Sequence, residues 1–159
     1  MELGQCERIR STPVANYMNG NSQKKVFLDG EGNEWYRRNR HEKNRDIVEW
    51  GNSDRLVELL ESLPLEKGPE ISVLEIGCGQ GLRLERLKIS KGWTVTGIDP
   101  SEEAIEVVNA SGARGIVGTA DSIKMPDQSI DLLIFGFCLY LCDRSDLFEI
   151  AKEAHRVMK

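Results

Sequence analysis

The sequence predicts an α/β fold in which helices flank a parallel, doubly wound sheet. One observation is that short apolar runs alternate with segments of helical periodicity from residue 71 onward. The other is that the first apolar run, residues 71–76, leads into a loop with glycines at alternate positions, Gly77, Gly79 and Gly81. Glycine permits positive φ and lets a ligand approach the backbone closely. This loop therefore predicts a binding site at the end of a buried strand.

The elements of this core follow one another with clear boundary signals. Ser101 is a good N-cap for the helix after it, and Gly112 is a good stop signal. The last helix carries a single apolar stripe that ends at Met158. The expected elements are strand 71–76, helix 80–90, strand 94–99, helix 101–111, strand 114–118, strand 130–135 and helix 143–158. Four strands are thus apparent.

Three regions are expected along the chain. Residues 1–25 are polar and lack periodicity, which predicts a mobile arm. Residues 26–68 form an N-terminal helical extension, in which 34–49 favours a helix and Asn52-Ser53-Asp54 caps another. Residues 69–159 are the ligand-binding α/β domain.

Composition excludes several classes of protein. The net charge of −5 argues against a general nucleic-acid surface, and no apolar run approaches the roughly 20 residues of a membrane helix. The N-terminus shows no secretory signal, and the four cysteines do not resemble a disulfide framework. The expected location is therefore the cytoplasm. The two histidines lie far apart in the sequence, so no metal site is expected.

The residues around the glycine loop indicate which ligand it holds. Asp99 ends the next strand, 20 residues beyond Gly79, where an acid accepts hydrogen bonds from ribose hydroxyls. A dinucleotide fingerprint requires a glycine where this chain has Leu82, which disfavours NAD-dependent redox chemistry. Glu75 would repel a pyrophosphate but suits a ligand that carries a cation or an ammonium group. The alternative is that the glycines only form a tight turn.

Three ordered motifs resemble those of class I S-adenosylmethionine-dependent methyltransferases of the type 11-like domain. Residues 73–81 resemble their motif I, 97–101 their next motif, and 126–134 the segment that leads into their fourth strand. The resemblance implies a Rossmann-like sheet with the strands in the order 3-2-1-4, S-adenosylmethionine as the cofactor and S-adenosylhomocysteine as the product. Relatives continue with further strands beyond the point where this chain stops. Strand four is therefore expected to be an edge that a second copy or a partner subunit covers.

The resemblance also assigns roles to residues. The loop glycines would face the methionine part of the cofactor, Asp99 the ribose and Pro100 the adenine. Because Thr119 stands where relatives often carry an adenine-binding aspartate, Asp121 or the backbone of Ala120 would take that contact. Tyr140 is the single candidate catalytic side chain, with a buried structural tyrosine as the alternative. The expected cofactor-binding residues are Glu75, Gly77, Cys78, Gly79, Gly81, Asp99, Pro100, Ala120, Asp121, Ser122, Phe135, Gly136, Trp35 and Arg38.

Three of these roles have alternatives. Glu75 would act on the cofactor's amino side or would instead order the amides of the loop. Asp99 would bind the ribose or would simply cap the following helix. Phe135 or Phe137 would wall the substrate pocket, or both would lie in the core.

The N-terminal extension is faintly similar to that of methyltransferases from nonulosonic-acid and surface-polysaccharide gene clusters. Trp35, Arg38 and Asn39 match their aromatic and Arg-Asn residues in order. This similarity implies a lid, with Trp35 or Tyr36 against the sulfonium and Arg38 or Arg40 on the carboxylate. The basic residues of this region are either a solvated helix face or an anion-binding patch for an acidic substrate. They are Arg37, Arg38, Arg40, Lys43 and Arg45.

The reaction expected from the resemblance is methyl transfer to a small-molecule acceptor. No Asn-Pro-Pro-Tyr-type sequence, known from methylators of amino groups and nucleic-acid bases, follows strand four, so DNA and protein acceptors are disfavoured. The alternative is a subunit or fragment that binds the cofactor, is catalytically weak or silent, and completes a partner.

Overall fold

The sheet of the computed structural model, which describes residues 22–40 and 54–159, has four parallel strands. The strands are β1 (Ser72–Ile76), β2 (Thr94–Asp99), β3 (Arg114–Val117) and β4 (Leu132–Phe135). Their order is β3-β2-β1-β4, with Val73 paired to Val95 on one side and to Leu132 on the other. The expected fold class and strand order are therefore confirmed.

Helices cover both faces of this sheet. In the described ranges they are α1 (Gln23–Val26), α2 (Gly32–Asn39), α3 (Arg55–Ser62), α4 (Leu82–Lys91), α5 (Glu102–Ala110) and α6 (Leu147–Val157). A π-helical turn, Phe27–Glu31, joins α1 to α2, and Gly30 within it has φ +137°. No helix in the described part of the chain is long and apolar enough to cross a membrane.

Alternation along β1 divides the core into two layers. Val73 packs with residues of α3 and α4, whereas Leu74 and Ile76 pack with residues that include Ile150 and Val157 of α6. Because successive strand residues face opposite sides, Glu75 shares the face of Val73 and lies toward α4. The single carboxylate of β1 therefore lies on the side of the sheet that α3 and α4 cover.

Local capping explains several helix starts. Asp54 accepts hydrogen bonds from the backbone N–H groups of Leu56 and Val57, at 2.9 and 3.3 Å, and so begins α3. Ser101 does the same for α5 through the N–H of Ala104, at 3.1 Å. Both residues are caps that the sequence predicts.

Several boundaries differ from the sequence prediction, most of them by one or two residues. The helix expected over 34–49 ends at Asn39, because Arg40 is extended. The last helix begins at Leu147 rather than at residue 143, because Cys142 and Asp143 are extended and short 3-10 turns occupy 139–141 and 144–146. Strand four begins at Leu132 rather than at residue 130, because Ile130 pairs with Met158. Residues 22–25, expected in the arm, begin α1, because Ser22 accepts a hydrogen bond from the N–H of Lys25.

Some predictions concern residues outside the described ranges. These are the arm over residues 1–21, the part of the expected helix 34–49 beyond residue 40, and two of the basic residues, Lys43 and Arg45.

Candidate cofactor-binding site

The loop between β1 and α4 has a shape that requires glycine. Gly77, Gly79 and Gly81 have φ values of +72°, +52° and +75°, where other residues are strained. A Cβ at Gly77 would lie 2.6 Å from that of Cys138, and one at Gly81 would lie 2.9 Å from Val108. A Cβ at Gly79 would meet nothing within 4 Å. The first and last glycines therefore allow packing, and Gly79 leaves open space for a ligand.

Asp99 closes this loop from the neighbouring strand. Its two carboxylate oxygens accept hydrogen bonds from the backbone N–H groups of Gly79 and Ser101, each at 2.9 Å. The residue is only 9% exposed, and this burial raises the pKa of its carboxyl while the two N–H groups oppose the rise. Each carboxylate oxygen can accept more than one hydrogen bond, so Asp99 can order the loop and still bind a hydroxyl.

Glu75 is a buried carboxylate on the other side of the loop. It forms an ion pair with Arg83, whose guanidinium also binds Asp54 at 2.9 Å. Burial raises the pKa of Glu75 to about 7 although Arg83 opposes this effect. Its second oxygen, Oε2, has no hydrogen-bond partner among the described residues. A buried acceptor of this kind is costly unless a ligand or water pairs with it.

Gly136 gives the end of β4 its close approach to β1. A Cβ at this position would lie 2.7 Å from the Oε1 atom of Glu75 and 2.7 Å from the carbonyl oxygen of Gly77. The backbone N–H of Gly136 donates to the carbonyl of Ile76, at 2.7 Å. Any larger residue would push β4 away from the glycine loop.

These groups surround two cavities that meet at the glycine loop. The first encloses about 770 Å3, including space open to solvent, and the second about 620 Å3. Asp99, Pro100 and the segment 118–121 line the first cavity, whereas Glu75 and Arg40 line the second. Gly77, Gly136 and Trp35 line both. The two cavities therefore adjoin at these three residues, and together they are called the cleft.

The N-terminal segment 22–40 lies over this cleft. Gly32 is so close to Pro100 that a Cβ would lie 3.0 Å from its carbonyl carbon. The Oδ1 atom of Asn33 accepts a hydrogen bond from the hydroxyl of Ser101 at 2.8 Å, and Arg37 forms an ion pair with Glu103. α2 is thus fixed to the start of α5, directly after Asp99.

The structure places most of the expected site residues in the cleft. Those that line one cavity or both are Trp35, Glu75, Gly77, Cys78, Gly79, Asp99, Pro100, Ala120, Asp121 and Gly136. Gly81, Ser122, Phe135 and Arg38 line neither cavity. Phe135 packs against the core layer that contains Leu74, in agreement with the alternative interpretation. Tyr140 also lies outside the cleft and is 72% exposed, so it is not the buried structural tyrosine of that alternative.

The two arginines proposed for the cofactor carboxylate separate in the structure. Arg38 forms an ion pair with Glu31, whereas Arg40 lines the second cavity together with Asn39. Arg40 is extended and lies beyond the last residue of α2. The end of the helix therefore decides which arginine reaches the cleft.

Sequence reasoning missed several residues that line the first cavity. These are Lys24, Phe27, Gly32, Gly118, Leu141, Cys142, Asp143, Asp146 and Ile150. For Lys24 the sequence contained a local signal. Ser22 is a possible N-cap, and a helix that begins there would contain Lys24.

The cysteines near the cleft are neutral thiols. Burial raises the pKa of Cys138 to about 12 and also raises the pKa of Cys78 well above its usual value. Thiolates are the form that attacks substrates or binds metals, so a raised pKa disfavours both roles for these thiols. In residues 22–40 and 54–159, no three metal-binding side chains come close enough to hold an ion.

The fold and the cleft define a class of protein. A glycine loop after β1, an acid at the end of β2 and a ligand cleft at the carboxyl ends of parallel strands are the features of a nucleoside-binding Rossmann-like domain. Residues 74–159 match the family model described as a methyltransferase domain. The match covers more than half of the chain, and the chain therefore belongs to this methyltransferase family.

Solved structures agree with this assignment. The YcgJ protein of Bacillus subtilis is 27% identical, with a TM-score of 0.54 over 65% of this chain and 45% of its own. A SAM-dependent methyltransferase of Aquifex aeolicus is 24% identical, with a TM-score of 0.52 over 71% of this chain and 65% of its own. These structures confirm the expected fold, and the match to the methyltransferase family supports S-adenosylmethionine as the cofactor.

A third neighbour was solved with ligands bound. Geranyl diphosphate C-methyltransferase of Streptomyces coelicolor, with Mg2+, geranyl diphosphate and S-adenosylhomocysteine, is 14% identical. Its TM-score is 0.63 over 84% of this chain and 61% of its own. The chain spans about half the length of the first solved structures that it matches, between 41% and 56%. No curated protein matches the chain.

Proposed function

We propose that the protein binds S-adenosylmethionine in the cleft and transfers the methyl group to a small-molecule acceptor. The observation that carries this proposal is that two adjoining cavities share Gly77, Gly136 and Trp35, with Asp99 lining one and Glu75 the other. S-adenosylmethionine has an adenosine part, whose ribose carries two hydroxyl donors, and a methionine part that ends in an ammonium group and a carboxylate. Acceptor groups at both ends of one cleft suit both features.

Different residues along the cleft would bind different parts of the cofactor. Asp99 would accept hydrogen bonds from the ribose hydroxyls, and Pro100 and Asp121 would border the adenine. The unpaired Oε2 atom of Glu75 would accept from the ammonium group, and Arg40 would pair with the carboxylate. When bound, the cofactor supplies a methyl group already activated by its sulfonium.

The remaining task for the protein is alignment and exclusion of water. Trp35 lines both cavities, so this residue lies where the adenosine and methionine parts of the cofactor would meet. A cation beside a tryptophan ring is stabilised by about 0.5–2 kcal/mol. This placement supports the similarity of the N-terminal segment to the polysaccharide-cluster methyltransferases, which remains part of the proposal.

The charges near the cleft support an acceptor that is not an anion. Arg37 pairs with Glu34 and Glu103, and Arg38 pairs with Glu31, so these two basic residues fit a solvated face rather than an anion-binding patch. Asp143 and Asp146 line the first cavity together with the apolar residue Leu141. Carboxylates at this position would repel a phosphorylated or carboxylated substrate.

The test of the proposed function is a calorimetric titration of the 159-residue chain with three ligands. We expect S-adenosylmethionine and S-adenosylhomocysteine to bind and NAD to show no heat, since Leu82 and Glu75 disfavour a pyrophosphate. Binding of NAD without a response to either adenosyl ligand would overturn the proposal. Single-turnover methyl transfer to small amines, alcohols and phenols then separates an active enzyme from a silent cofactor-binding subunit.

We also propose that a second copy or a partner subunit covers β4. In the described part of the chain, β4 pairs with β1 on one side and with no strand on the other. Unpaired backbone groups on such an edge favour association. Light scattering should show a dimer or a larger oligomer, and a stable monomer at high concentration would contradict this.

The free thiols Cys78, Cys138 and Cys142 support a reducing, cytoplasmic location.

A further inference from the structure

Lys24, on helix α1, lines the first cavity. Its ammonium group forms an ion pair with the carboxylate of Asp121, 97 residues away in the sequence. Both residues line the cavity that also contains Asp99 and Pro100. The side chain of Asp121 is only 12% exposed, whereas that of Lys24 is 41% exposed. The pair therefore connects the N-terminal segment to the adenine end of the proposed cofactor site.

Polar contacts hold α1 in this position. None of its residues is buried, so α1 gains little from apolar packing. Besides the Lys24 pair, the backbone N–H of Gln23 donates to the Oδ2 atom of Asp143, at 2.7 Å. The orientation of α1 thus depends on two aspartates at the edge of the cleft.

The ion pair with Lys24 favours the ionised form of the Asp121 carboxyl. Burial alone would raise the pKa of this carboxyl, but hydrogen bonds from Lys24 and Thr119 outweigh burial and hold the pKa below its usual value. An ionised carboxylate only accepts hydrogen bonds, whereas a protonated one can also donate. Asp121 therefore faces the cleft as an acceptor, which suits the exocyclic amino group of adenine and disfavours an oxygen at the same place.

We propose that Lys24 is a positioning residue that determines specificity for adenine through Asp121. This inference rests on the proposed cofactor and goes beyond it by assigning the selection of the purine to a residue outside the α/β domain. Without the ammonium group, the Asp121 carboxyl is free to turn away or to take up a proton, and it then tolerates an oxygen in place of the amino group.

The test compares S-adenosylhomocysteine with S-inosylhomocysteine, in which an oxygen replaces that amino group and the neighbouring ring nitrogen N1 carries a hydrogen, by calorimetry. The wild-type chain should prefer the adenosyl ligand by at least about tenfold, the effect of a hydrogen bond to a charged group. Lys24→Gln should reduce this preference to less than about threefold. Asp121→Asn should do the same, because an amide offers both a donor and an acceptor.

Lys25→Gln is the matched control. Lys25 is the next residue on the same helix, lines neither cavity and pairs with Asp29 at 2.9 Å within its own segment. Its variant should keep the wild-type preference. If Lys24→Gln weakens both ligands equally, or leaves the preference unchanged, Lys24 only covers the cleft and the inference is overturned. If the wild-type chain binds neither ligand, the proposed function fails and this inference fails with it.

Discussion

Asp99→Ala should weaken the binding of S-adenosylhomocysteine by about 10- to 150-fold. The range follows from the loss of hydrogen bonds to a charged group, about 1.5–3 kcal/mol, at 1.4 kcal/mol per factor of ten. Asp99 is the acid at the end of β2, and its carboxylate already accepts from the N–H groups of Gly79 and Ser101. Calorimetry of the wild-type chain and the variant measures the loss.

A ligand lacking one hydroxyl distinguishes ribose binding from ordering of the loop. The wild-type chain should bind the 2′-deoxy form of S-adenosylhomocysteine more weakly than the parent ligand, and Asp99→Ala should bind the two equally. Ser101→Ala is the structural control, because it removes the cap of α5 at a cost of about 1 kcal/mol in stability and leaves the Asp99 carboxylate in place. If Asp99→Ala still binds S-adenosylhomocysteine more tightly than its 2′-deoxy form, Asp99 only orders the glycine loop.

Sequence predicted the sheet well because its buried strands leave a local signal. β2 has the predicted bounds, Thr94 to Asp99, and its residues after Thr94 are all buried. The apolar runs and the glycine loop indicate where the buried strands lie and which end of such a sheet binds the ligand. The site residues of β1, β2 and the glycine loop could be predicted from the sequence for the same reason.

Predictions failed where the position of a residue depends on contacts that are distant in sequence. Ile130 is apolar and reads as part of strand four, yet it pairs with Met158 after the last helix. Lys24 carries no local sign that it will meet Asp121. Periodicity reports which face of an element is buried, but it does not report which partner occupies that face.

The arginines of the N-terminal segment show the same limit within one helix. Glu31 and Arg38 are seven residues apart, two helical turns, so they share a face and pair there. Arg40 follows the last helical residue, and its backbone is extended, so helical periodicity does not predict where its side chain lies. A motif of aromatic, arginine and asparagine in order does not reveal where the helix ends.

Glu75 supplies the prediction with the clearest dependence on pH. Burial raises the pKa of its carboxyl to about 7 in the free protein, and the ammonium of a bound cofactor would favour the ionised form. The ionised form therefore binds more tightly. A group with a pKa near 7 is about 90% ionised at pH 8 and about 10% ionised at pH 6, so affinity should fall as the pH decreases through 7.

We expect the affinity of the wild-type chain for S-adenosylhomocysteine to fall about tenfold from pH 8 to pH 6. Glu75→Gln should bind about 10- to 150-fold more weakly than wild type at pH 8, because an amide cannot form the charged hydrogen bond. It should also lose the part of the pH dependence that belongs to Glu75. Asp99 is unchanged in this variant, so any contribution from that carboxyl remains in both titrations. Parallel pH profiles for the two proteins would show that Glu75 does not bind the ammonium group and serves only to pair Arg83.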